Sequence, residues 1–185
     1  MTDERQHRYT AAWRALAAVR PLDHPAYAGV ARVWRVELHP TFHDDVVITV
    51  TDIDAGGWIE LRVVSQATRQ WAMAEAGYGV ARPLGDAPAS KVTEVTASAE
   101  ALEALADAMP RLPLHSVPGS GRDGMFVDCQ AVLDGAEHRF SWWTPSPTPS
   151  PLHRAFTTSL CTLALSRVSD PAAVAAVQCL AAYFR

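Results

Sequence analysis

Catalytic and cofactor signatures are what this sequence most plainly lacks. There is no G-x-x-x-x-G-K-[ST] phosphate loop and no serine inside a G-x-S-x-G elbow, so nucleotide-cofactor and α/β-hydrolase chemistry have no support. Cysteine is scarce. Cys129, Cys161 and Cys179 are widely spaced and form no C-x-x-C, which argues against a disulfide framework and for a reducing compartment, the cytoplasm. No segment approaches the roughly 20 apolar residues that span a bilayer. The N-terminal stretch MTDERQHRYTAAWRALAAV carries both signs of charge and no uninterrupted apolar run of the signal-peptide kind. A basic excess is also missing. The formal charge is −4, which leaves neither a cationic footprint for nucleic acid nor the Lys- and Arg-rich face of a membrane-surface helix.

What is present suits one folded domain spanning 1–185. The chain is 49% apolar and 19% charged, and at this length it should bury ~70% of the surface its unfolded form exposes without disulfide or metal staples. Tyr9, Trp13, Leu16 and Arg20 recur at helical spacing up to Pro21. Segments 30–38, 45–52 and 57–64 read as strands, and their short connections make them an antiparallel meander. On the first of them Val30, Arg32, Trp34, Val36 and Leu38 share a face. Residues 66–90 read either as a short helix or as a fourth strand followed by a loop. A strand over 91–97 precedes a helix over 98–112 that Ser98 would cap. Asp134-Gly135 marks a two-residue hairpin turn, and helices follow over 152–168 and from Asp170-Pro171 onward. The fold expected is α+β: an antiparallel sheet of about five to seven strands, with N- and C-terminal helices packed on one face.

The Asp-Gly turn fixes a register, because facing residue numbers must then sum to 269. One side of the ribbon gathers Val127, Cys129, Phe140 and Trp142, which reads as core. Cys129 and His138 become diagonal neighbours there, the minimum pair for a cysteine nucleophile. A buried thiol beside a satisfied histidine is the competing reading. The other side gathers Phe126 with Trp143 and Asp128 near Arg139, with Arg122 at its open end. Aromatic and arginine side chains together have the composition of a binding hot spot, and equally of a sheet face covered by a helix. The segment HPTFHDD offers His39 and His43 as a loop metal site, although a hairpin loop gives their i, i+4 spacing no helical meaning. No cofactor is expected.

The run RDGMF at 122–126, the polar hairpin, FSWW, the proline-containing loop and the closing Leu-rich helix resemble a pattern in small uncharacterised bacterial α+β proteins. Some of those are encoded beside secreted toxins and are thought to act as immunity proteins. The likeness covers residues 120–168 and brings no catalytic residues with it. It implies a cytoplasmic protein that binds another protein, and the absent catalytic signature and acidic balance agree. On this reading Trp143, Phe126, Arg122, Arg139 and Asp128 do the binding, and a homodimer is a further way to use such a surface. The alternative is a small hydrolase or transferase using Cys129 and His138, or the histidines at 39 and 43.

Overall fold

Antiparallel pairing of neighbours, with one long-range exception, builds the sheet. The structure, a computed structural model, describes residues 2–53, 56–108, 116–117, 123–133, 135–144 and 151–184. Helix α1 (Thr2–Leu16) leads into strands β1 (Arg32–Pro40), β2 (Asp45–Ile53) and β3 (Gly56–Val64). Then come α2 (Gln66–Glu75), β4 (Lys91–Ala97), α3 (Ala99–Ala108), the hairpin β5 (Met125–Leu133) and β6 (Ala136–Thr144), α4 (Pro151–Arg167) and α5 (Pro171–Leu180). The six strands lie in the order β4-β3-β2-β1-β5-β6, every pair antiparallel. The architecture is α+β, as the pattern of the chain implies.

Local chemistry sets most of the boundaries. Ser65 accepts a hydrogen bond from the Ala67 amide at the start of α2, which resolves the ambiguous stretch after residue 65 in favour of a helix. Ser98 Oγ accepts from the Ala101 amide at 3.3 Å, and Asp170 Oδ1 accepts from Ala173 at 2.7 Å, so both expected caps are made. Pro151 opens α4, where its missing N–H costs nothing. Gly135 has φ +76°, the left-handed value the hairpin turn requires, while Asp134 and the prolines at 145, 147 and 149 lie outside the described residues.

The sheet has two unlike faces. Trp34, Val36, Leu38, Ile48, Ile59, Leu61, Val127, Cys129, Phe140 and Trp142 form an apolar face, covered by Leu102 of α3, Phe156 and Leu160 of α4 and Val177 of α5. The opposite face carries Arg35, Glu37, Thr49, Glu60, Arg62 and Gln130, all buried. Helix α1 lies on this second face, where Trp13 and Ala17 meet Val47, Val64 and Ala72. The two chain ends therefore take opposite faces instead of sharing one. The reason is chemical. Only the apolar side can accept the apolar stripes of α4 and α5, whereas α1 brings Arg14 to a buried carboxylate.

Candidate functional site

Phe126, Asp128 and Trp143 converge as the hairpin register requires: Phe126 faces Trp143 and Asp128 faces Ser141 on the polar side. Strand β5 pairs on its other edge with β1, which sets His39 opposite Phe126 and Glu37 opposite Asp128. Gly124 leaves room for the indole, since a Cβ there would stand 2.8 Å from the Trp143 ring and 2.2 Å from the Thr144 carbonyl oxygen. Helix α1 covers only part of this surface. Between it and the sheet lies a cleft of about 420 Å³, walled by Tyr9, Trp13, Phe126 and Trp143 with Glu37, His39, Asp128 and Arg69 in its lining. That volume lies within the range of small-ligand pockets, roughly 300–1,000 Å³.

A charge network forms the floor. Arg14 straddles two carboxylates: its Nε donates to Glu37 Oε1 at 3.1 Å, and its Nη2 donates to Glu37 Oε2 at 3.1 Å and Asp128 Oδ2 at 3.0 Å. Gln130 Nε2 donates to Glu37 Oε1 at 3.3 Å. Asp45, fully buried, accepts from Trp13 Nε1 at 2.9 Å and from Arg69 Nη2. His39 sits between the two acids, 3.5 Å from Asp45 Oδ1 and 3.8 Å from Glu37 Oε2. The Trp13 ring meets its imidazole edge to face at 4.6 Å, and Phe126 stacks on it at 6.2 Å.

These neighbours move three ionisations. Burial disfavours a charged His39, but Asp45 and Glu37 outweigh it and raise the imidazole to about 9. Burial likewise opposes the Glu37 charge, yet His39 and Arg14 hold this carboxyl below its usual value. Asp128 goes the other way. Burial and the Glu37 charge raise it to about 6 against the pull of Arg14, His39 and Arg139.

Of the remaining sequence candidates, His39 reaches this site, though not as the loop metal ligand expected. Arg139 is exposed at the β6 edge and pairs with Glu137 at 2.5 Å. Arg122 lies outside the described residues. His39 is a strand residue on the polar face, whereas His43 meets the Tyr183 ring at 6.1 Å, so the two histidines do not converge on a metal. Among the described residues no group of three or more His, Cys, Asp or Glu is placed to hold one. The glycines at 119, 121 and 124 have G-x-G-x-x-G spacing, but the last leads into strand β5 and not a helix, which removes the phosphate-binding helix terminus.

Cys129 is sealed from solvent. It is fully enclosed beneath α4 with Sγ 3.8 Å from Thr157 Oγ1, and burial pushes its thiol well above the usual value. His138 occupies the next same-side position on β6, opposite Ala131. Cys161 is also buried, and Cys179 is exposed. In native protein at pH 8 a thiol reagent will therefore label Cys179, with Cys129 and Cys161 reacting on unfolding. Early modification of Cys129 would restore the cysteine chemistry.

Glu37, His39, Tyr9 and Trp13 complete the site, and none was assembled there by sequence reasoning. Tracing the second face of β1 gives the available signal, since Val33, Arg35, Glu37 and His39 alternate with the apolar set. No helix among the described residues is long and apolar enough to cross a membrane. No family model, curated protein or solved structure matches the chain.

Proposed function

We propose that this chain is a binding protein without catalytic activity, and that its partner, another protein, seats one side chain in the cleft between α1 and the sheet. The observation that carries this reading is the cleft itself, four aromatic walls around a charged floor that α1 leaves partly open. Tyr, Trp and charged groups in a desolvated pocket are the composition of interface anchors. The sealed Cys129 thiol and the separation of His39 from His43 give the catalytic alternative less support. An immunity-type inhibitor of a secreted toxin is one form of this proposal, and the resemblance over residues 120–168 is its support.

A photoreactive benzoylphenylalanine at position 143 tests it. Irradiation in the source cells should yield one dominant covalent adduct with a protein, absent when the probe sits at Val92 on the far edge strand. An adduct of small-molecule mass would redirect the proposal to a metabolite, and no adduct at either position would end it.

A further inference from the structure

The cleft is unequal in what its floor offers a ligand. Asp45 is committed to Trp13 and Arg69, and Glu37 to Arg14 and Gln130. Asp128 is different. Arg14 engages its Oδ2, while Oδ1 accepts no hydrogen bond among the described residues, and the side chain keeps 24% of its surface exposed. An unfilled carboxylate oxygen in an aromatic enclosure asks for a donor with positive charge, since Trp, Tyr and Phe faces attract cations and a desolvated pocket strengthens the attraction.

We infer that the group received by the cleft is cationic, a guanidinium or amine on an apolar stem, donating to Asp128 Oδ1 between the Phe126 and Trp143 rings. This rests on the cleft being the recognition site. The stem fits because Phe126, Trp143, Tyr9 and Trp13 supply most of the wall. The charge fits because the positive groups facing Asp128, namely Arg14 from α1, His39 from β1 and Arg139 from β6, do not offset burial and the neighbouring Glu37. A ligand cation supplies what they lack, and it binds the ionised carboxylate. Affinity should therefore fall as Asp128 is protonated, about tenfold from pH 7 to pH 5 for a group titrating near 6.

Three probes of one shape separate the outcomes: benzamidinium, neutral benzamide and benzoate, followed through the indole N–H resonances of Trp13 and Trp143. The inference expects benzamidinium to bind at least about tenfold tighter than the other two. It expects Asp128→Asn to abolish that preference and the pH dependence to follow the carboxylate. Equal binding of all three, or a preference for benzoate, overturns the cationic ligand while leaving the cleft as the site. Failure of every probe to shift either indole overturns both. Should Asp128→Asn not fold, a pH-independent affinity for benzamidinium in the unsubstituted protein is by itself enough to sink the inference. Acetyl-Gly-Arg-Gly-amide distinguishes the source: tighter binding than free arginine amide points to a protein side chain, the reverse to a small cation.

Discussion

Replacing Arg14 with methionine should lower the free energy of unfolding by about 3–5 kcal/mol, the usual cost of leaving a buried charge without its partner. Glu37 is 1% exposed and takes three hydrogen bonds, at 3.1, 3.3 and 3.1 Å, from this one guanidinium. Without it, Glu37 and Asp128 face each other across the β1–β5 pairing, and the nearest remaining cation is the His39 imidazolium, 3.8 Å from Glu37. Methionine keeps the volume and the apolar stem, so the loss reads charge and hydrogen bonding more than packing. Adding Glu37→Gln to Arg14→Met removes the buried charge that has lost its hydrogen-bonded partner and should recover at least half of the loss. Urea unfolding of the wild type, both single variants and the pair forms a double-mutant cycle that measures the coupling. A loss below about 1 kcal/mol for Arg14→Met would place the contact with exposed surface pairs.

That expectation also shows what could be read from the sequence. The β5–β6 register followed from Asp134-Gly135 alone, because a two-residue turn leaves no freedom in which residues face each other. It put Trp142 in the core and Trp143 with Phe126, as the structure has them. The meander β1–β2–β3 was legible for the same reason, short connections between β-branched runs. The pairing of β1 with β5 was not. It joins residues roughly 90 positions apart, and no local spacing encodes it, yet it alone sets Glu37 beside Asp128 and His39 beside Phe126. The polar second face was hidden by the same gap. Charged residues such as Arg35, Glu37, Glu60 and Arg62 look solvent-facing one by one, and become buried only when α1, α2 and the sheet close on them. The polar face of the hairpin reads equally as a binding surface or as one covered by a helix, and no local pattern in the sequence assigns α1 to it.

Stability should fall by about 2 kcal/mol between pH 6.5 and 8.5, with His39 as the cause. Its folded value of about 9 lies above the ordinary 6.5, so the folded state holds a proton that the unfolded chain releases. The contribution, about 3 kcal/mol when complete, is present below pH 6.5 and disappears as the pH rises through 9. His39 dominates this window. Asp128, raised to about 6 from 3.8, also favours the folded state as pH falls, but its effect lies below pH 6.5. Cys161, pushed to about 12, and Cys129 act in the same direction as unfolded thiols ionise, which adds less than about 1 kcal/mol by pH 8.5. Urea unfolding at pH 6.5, 7.5 and 8.5 measures the slope. In His39→Gln, which cannot hold the extra proton, the curve should fall by less than about 1 kcal/mol over this range whatever the variant loses in absolute stability. A full slope that survives the substitution would mean that Glu37 and Asp45 do not hold a charged imidazole between them.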